Sequence, residues 1–129
     1  MIVIDASVVL AASVDDPMHG DWAVEILHES GAAPHALPAE VSNVLRRLEA
    51  SGQVDRRTAA AALNDVVGAD IELWPFAPFA KRVWELRGAV TAYDAWYVAL
   101  AEALELPLAT LDRRLAAANG PRCEFVVPI

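Results

Sequence analysis

Short apolar runs with little alternation are spaced along this chain, and each leads into a segment whose apolar residues recur at helical intervals. The plainest are Ile2-Val3-Ile4, which ends at Asp5, and Leu106-Pro107-Leu108-Ala109-Thr110-Leu111, which ends at Asp112. A strand with one wet face alternates apolar and polar residues, whereas a strand covered on both faces has no need to. Parallel neighbours also require a crossover, usually a helix. The pattern therefore predicts an α/β fold, a three-layer sandwich with a central, mainly parallel five-stranded sheet flanked by helices. At 129 residues the chain is long enough to bury about two-thirds of its unfolded surface, so residues 1–129 are expected to form a single domain. There is no linker, repeat or low-complexity tract.

The expected strands are 2–4, about 34–37, 71–74, about 106–111 and 124–127. Between them, helices are expected over about 8–14, with Ser7 as cap, and over 21–30, stopped by Gly31. Pro38 suits the first turn of a helix that ends before Gly52. Further helices are expected from Asp55 or Thr58 through Val67, over about 79–87, and over 95–104, opened by Thr91-Ala92-Tyr93-Asp94. A short one follows at 112–118.

The hydrophobic fraction is 56%, but charges interrupt every apolar run well short of the roughly 18 residues a membrane span needs. Met1-Ile2-Val3-Ile4-Asp5 lacks the basic region and long apolar core of a signal peptide, so a soluble cytoplasmic protein with no membrane partner is expected. Cys123 is expected to be a small apolar filler near the last strand. The net charge of −8 argues against a protein that grips nucleic acid by charge alone, although a nuclease that binds metal needs acids at its centre. The basic pairs Arg46-Arg47, Arg56-Arg57, Lys81-Arg82 and Arg113-Arg114 read as solvated faces. His19, His28 and His35 lack zinc spacing. Trp22, Trp74, Trp84 and Trp96 are expected to pack rather than to bind.

Four acids stand where a run or turn meets a helix: Asp5, Glu40, Asp94 and Asp112. Glu40 lies four residues before Val44 and eight before Leu48, so it points toward the buried stripe of its helix. Asp94 shares a face with Tyr97, Val98 and Ala101. Singly, each acid also suits a helix start or a cap. Jointly, the ends of parallel strands gather at one edge, and two carboxylates about 5 Å apart repel by roughly 3 kcal/mol at an effective dielectric constant of 20. A divalent cation relieves that repulsion. An all-oxygen set favours Mg²⁺ or Mn²⁺, and acids holding one or two such ions suit phosphodiester hydrolysis. Ser7 and Thr110 stand two residues from Asp5 and Asp112, placed to orient a ligand or water.

The segments Met1-Ile2-Val3-Ile4-Asp5-Ala6-Ser7, Pro38-Ala39-Glu40-Val41-Ser42-Asn43-Val44-Leu45-Arg46-Arg47, Thr91-Ala92-Tyr93-Asp94-Ala95 and Ala109-Thr110-Leu111-Asp112-Arg113-Arg114-Leu115 stand in an order and at spacings that are fairly specific together. With them the chain resembles a PIN-domain ribonuclease of the VapC toxin family, and the resemblance covers essentially its whole length. It implies a Rossmann-like PIN sandwich and a Mg²⁺- or Mn²⁺-dependent endoribonuclease, the toxin of a type II toxin–antitoxin pair. It further implies a homodimer inhibited by a VapB-like antitoxin. Asp5, Glu40, Asp94 and Asp112 match the acidic positions of the family, with Asp5 and Asp94 as direct metal ligands, and Ser7 and Thr110 match its hydroxyls. The alternatives are a non-catalytic module that receives a basic partner segment, and phosphoryl transfer through Asp5. Against the latter, Asp5-Ala6-Ser7 lacks the second aspartate of a haloacid dehalogenase-like motif.

Overall fold

Residues 1–129 are described by a computed structural model. Five parallel strands lie in the order β3-β2-β1-β4-β5: β1 Ile2–Ile4, β2 Gly31–Pro34, β3 Ile71–Trp74, β4 Leu108–Ala109 and β5 Phe125–Val126. Because β1 is central and covered on both faces, Ile2, Val3 and Ile4 are all buried, which explains a run with no polar alternation. Val3 stands opposite Ala32 on one side and Leu108 on the other. The chain progresses outward from β1 through β2 to β3 and then returns to β4, so the strand order reverses between β1 and β4. In an open parallel sheet a crevice forms at the carboxyl ends of strands beside such a reversal.

Seven helices complete the layers: α1 Ala6–Ser13, α2 Gly20–Ile26, α3 Leu37–Ala50, α4 Arg56–Gly68, α5 Ala80–Glu85, α6 Ala92–Leu104 and α7 Arg113–Ala116, with a 3-10 turn at Ala77–Phe79 ahead of α5. Helix α1 packs on α2, α3 and α4, whereas α6 packs on α5 and lies along β1, β2 and β4. Five successive residues of α6, Tyr97 to Ala101, are buried, so this helix is apolar nearly all round. None of the helices is long and apolar enough to cross a membrane.

Several expected boundaries move. The second strand lies at Gly31–Pro34, about three residues upstream of its expected place, and Leu37 already belongs to α3. Correspondingly, α2 stops at Ile26, and Gly31 is a strand residue rather than a helix terminator. Gly31 is there for closeness of approach: a Cβ on it would stand 2.6 Å from Ile4 Cδ1 in the buried layer. Helix α1 begins two residues before its expected start, after Asp5, and the Ser7 hydroxyl is not its cap. Strand β4 shrinks to two residues: the Leu106 N–H is still bonded to the Ala101 carbonyl at the end of α6, and the chain bends at Leu111 toward α7. Asp55 is the cap of α4, accepting from the Thr58 N–H at 2.8 Å. Trp22, Trp74 and Trp96 pack against the core as expected, but Trp84 is 67% exposed. Cys123 is half-buried against the core, and burial first of all pushes its thiol up to about 11, leaving it unreactive as a nucleophile.

Candidate active site

The reversal between β1 and β4 places the end of one strand beside the end of the other. Asp5, directly after β1, is 8% exposed, and Thr110, directly after β4, is wholly buried. Both the Ser7 and the Thr110 hydroxyls donate to Asp5 Oδ2, at 2.7 and 2.8 Å. These hydroxyls are themselves acceptors: Ser7 Oγ from the Leu111 N–H at 3.1 Å, and Thr110 Oγ1 from the Asp112 N–H at 3.0 Å. Two backbone amides thus polarise two hydroxyls that hold one carboxylate oxygen. The Ser7 and Thr110 side chains are spoken for by Asp5, which fixes its orientation and ties the β1–α1 junction to the β4–α7 junction. The other oxygen, Oδ1, is left for a ligand.

Glu40 lies in the first turn of α3 and Asp94 in the first turn of α6, the ends where helix dipoles favour negative charge. Each is half-buried. Asp94 belongs to an N-terminal turn capped by Thr91 Oγ1, which accepts from the Asp94 N–H at 3.2 Å. Burial above all, and then the charges of Asp5 and Asp112, hold the Asp94 carboxyl above the usual range. Burial likewise raises Glu40, with added repulsion from Asp5 and Asp94, while a hydrogen bond from Tyr97 pulls the other way. Asp112 is exposed at the start of α7, where its Oδ1 accepts the Arg114 and Leu115 N–H groups at 3.0 and 3.2 Å.

The four expected acids are neighbours: Glu40 feels the charges of Asp5 and Asp94, and Asp94 those of Asp5 and Asp112. Tyr97 is the participant that sequence reasoning assigned only to the core. Its hydroxyl donates to Glu40 Oε1 at 3.1 Å, and its own ionisation is strongly opposed by burial, Glu40 and Asp5, so it remains a donor. The signal was available: Tyr97 follows Asp94 by three residues on the same helical face, and an inward-pointing Glu40 needs a donor.

The ion pairs of the molecule all lie elsewhere, so no lysine, arginine or histidine neutralises the four acids. As the side chains stand, no three His, Cys, Asp or Glu residues are close enough to hold an ion among them. Three of the four acids are held by protein donors, Asp5 by Ser7 and Thr110, Glu40 by Tyr97 and Asp112 by the first amides of α7. The chemistry of the donors nevertheless fits a hard divalent cation: carboxylate and hydroxyl oxygens, mutual repulsion and no basic counterion.

Residues 2–121 match the PIN domain family model. The chain is 44% identical over 128 residues to Ribonuclease VapC1 of Mycobacterium tuberculosis, covering 94% of this chain and 96% of that protein. It is 37% identical over 128 residues to Ribonuclease VapC9 of the same organism, covering 98% of each. Among solved structures, PAE2754 from Pyrobaculum aerophilum superposes with a TM-score of 0.71 at 28% identity, over 96% of this chain and 81% of that one. Neighbouring acids at Asp5, Glu40, Asp94 and Asp112, a match of residues 2–121 to the PIN domain model, and relatives of this similarity over nearly their whole length lead to one conclusion: the chain belongs to the PIN-domain family of VapC ribonucleases.

Proposed function

We propose that this protein is a divalent-metal-dependent endoribonuclease, the toxin of a type II toxin–antitoxin pair, in which residues 1–129 act as one PIN domain in the cytoplasm. The observation that carries the proposal is a group of mutually repelling carboxylates with no basic partner, Glu40 and Asp94 among them held above their usual range by burial and by neighbouring acids. Asp5 and Asp94 would hold Mg²⁺ or Mn²⁺, with Glu40 and Asp112 completing the set directly or through water. Such an ion supplies positive charge beside the scissile phosphate and lowers the pKa of water.

The chain's own residues do the rest. The two hydroxyls on Oδ2 keep Asp5 from rotating, so its free oxygen is presented in one direction. Tyr97 holds Oε1 of Glu40, which leaves Oε2 to take up the proton of the attacking water. Hydrolysis in line at an RNA phosphate expels the 3′ oxygen and leaves a 5′-phosphate. A VapB-like antitoxin, carried over from the family together with the homodimer, would block the crevice by inserting an arginine or lysine among the acids.

The test is cleavage of total cellular RNA by antitoxin-free protein in Mg²⁺ or Mn²⁺, beside chelator and Asp94→Asn controls. Discrete fragments that need both the metal and Asp94 are expected. Equal cleavage by wild type, Asp94→Asn and Asp5→Asn would refute the proposal.

A further inference from the structure

Two depressions meet at Asp94. One, of about 540 Å³, is bordered by Arg87, Arg114 and Asp112; the other, of about 530 Å³, by Glu40, Asn43, Arg47 and Tyr93; Thr91 and Asp94 line both. The N-terminal turn of α6 is therefore a saddle between two troughs, with Asp94 on the saddle, Asp112 and Glu40 on its two sides, and arginines in both troughs. Arg82 alone among the arginines forms an ion pair, so what sets Arg47, Arg87 and Arg114 apart is their place in the two depressions beside Asp94.

The two troughs differ in chemistry. On α3, Glu40, Asn43 and Arg47 follow at spacings of three and four, so they share one face, with Arg47 roughly 10 Å along the axis from Glu40. Beside them Tyr93 is 61% exposed at the start of a helix whose interior is otherwise buried, and its ring serves no core. In the other trough Arg87 is already held in place. Its Nη1 donates to the Trp84 carbonyl at 2.8 Å, and its guanidinium lies 4.6 Å from the centre of the exposed Trp84 ring. A planar cation fixed in this way keeps donors to offer a phosphate with little loss of freedom.

Resting on the nuclease reading above, we propose that one extended RNA strand crosses the Asp94 saddle, with Arg87 and Arg114 holding phosphate on one side, and Arg47 holding phosphate while Tyr93 stacks a base on the other. These are positioning residues, since none of them is among the acids of the centre. The strand is unpaired for two reasons. Asp5 is only 8% exposed, so a phosphate reaches it only on a strand free to bend. An aromatic face also takes only a base that is free of its own stack. The acidic centre repels phosphate, and the flanking arginines offset that repulsion.

The experiment measures binding of a fluorescent single-stranded RNA oligonucleotide, and of the same strand in a duplex, to protein carrying Asp5→Asn so that binding is seen without cleavage. Steady-state cleavage in the native background accompanies it. Tyr93→Ala is expected to weaken single-strand binding roughly tenfold, and Tyr93→Phe to keep it. Arg47→Ala, Arg87→Ala and Arg114→Ala should each weaken binding to all sequences and lower the salt dependence by about one ion. In cleavage these losses appear mainly in KM. Arg57→Ala, on the exposed face of α4, should change nothing, and the duplex should bind less well than the single strand.

Unchanged binding by the arginine and tyrosine variants, while the native protein still cleaves and Asp5→Asn does not, would overturn the track and leave the nuclease standing. Equal loss in Tyr93→Phe and Tyr93→Ala would overturn the stacking role. No RNA binding by the Asp5→Asn protein, together with no cleavage by the native one, would overturn both. Tyr93 and the substituted arginines are exposed, whereas Asp5 is buried, and thermal melting verifies the folding of every variant.

Discussion

Helix α6 carries a half-buried acid near each end, and the two are treated oppositely. At its C-terminal end Glu102 is opposed by burial, yet it lies below the usual carboxylate range because donors outweigh that cost. Arg82 Nε and Nη2 grip its two oxygens at 2.7 and 3.1 Å, and the Arg122 N–H adds a third bond at 2.7 Å. Arg82 also donates to the Gly120 carbonyl at 2.9 Å, so one guanidinium joins α5, α6 and the segment that leads into β5. About 12 Å away along the axis, Asp94 has only its cap residue Thr91 to oppose burial and two like charges, and it lies above the range. Charge compensation is thus available in this fold and is withheld at one end. The Glu102 end is built for stability, whereas the Asp94 end keeps an unmet demand for a cation.

The largest effect that would sharpen this contrast is on cleavage. Asp5→Asn and Asp94→Asn should each lower kcat/KM about a thousandfold, close to 4 kcal/mol of transition-state stabilisation, while Glu102→Gln should leave cleavage by folded protein within a few-fold. Next comes stability. Glu102→Ala strands Arg82 in a half-buried site and should cost about 2–3 kcal/mol in urea unfolding, less than a fully buried pair because both partners keep some solvent. A loss under about 0.5 kcal/mol, the level of an ordinary surface substitution, would remove the structural role assigned to that end.

Smaller still is the response to ions. Mg²⁺ or Mn²⁺ at ten times its Kd should stabilise the native protein by about 1.4 kcal/mol. The rise in Tm should persist in Glu102→Gln and vanish in a chain carrying both Asp5→Asn and Asp94→Asn. The smallest effect is that of pH on metal-free protein. Glu40 and Asp94 have raised native affinities for protons, so what they contribute is present below the usual carboxylate range and lost as pH rises through their raised values. Glu102 has the opposite sign: its contribution is present above the usual range and lost as pH falls through its lowered value. At neutral pH without metal, Asp94→Asn should therefore raise Tm slightly and Glu102→Gln should lower it. Shifts of the same sign would break the comparison.

Some parts of the molecule were legible because their cause is local. Ile2-Val3-Ile4 and Ile71–Trp74 are strands at the residues expected of them, and Thr91 and Asp55 cap the helices that their hydrogen-bonding chemistry suits. The second strand was misplaced because Gly31-Ala32-Ala33-Pro34 has little intrinsic strand preference. It is extended because it lies between β1 and β3, where a side chain on Gly31 would run into Ile4. Ser7 was read as a cap by its position before the expected helix. Its partners Asp5 and Leu111 come from opposite ends of the chain, and one of them lies beyond any local rule. Tyr97 looked like core, and it is buried. Its second role depends on Glu40, 57 residues away.

What the order of residues determined by itself was the alternation of buried strands and amphipathic helices, together with the placing of Asp5, Glu40, Asp94 and Asp112 at the starts of helices or the ends of runs. Periodicity and capping act over a few residues, so they can be read along the chain. The tertiary structure decided which of those acids would meet and which acids would be neutralised. Reversing the strand order between β1 and β4 brings Asp5 to Thr110 across 105 positions, and packing α5 on α6 gives Arg82 to Glu102 rather than to Asp94. Charge interactions depend on distance in space and on burial, and neither exists until the chain has closed its sheet.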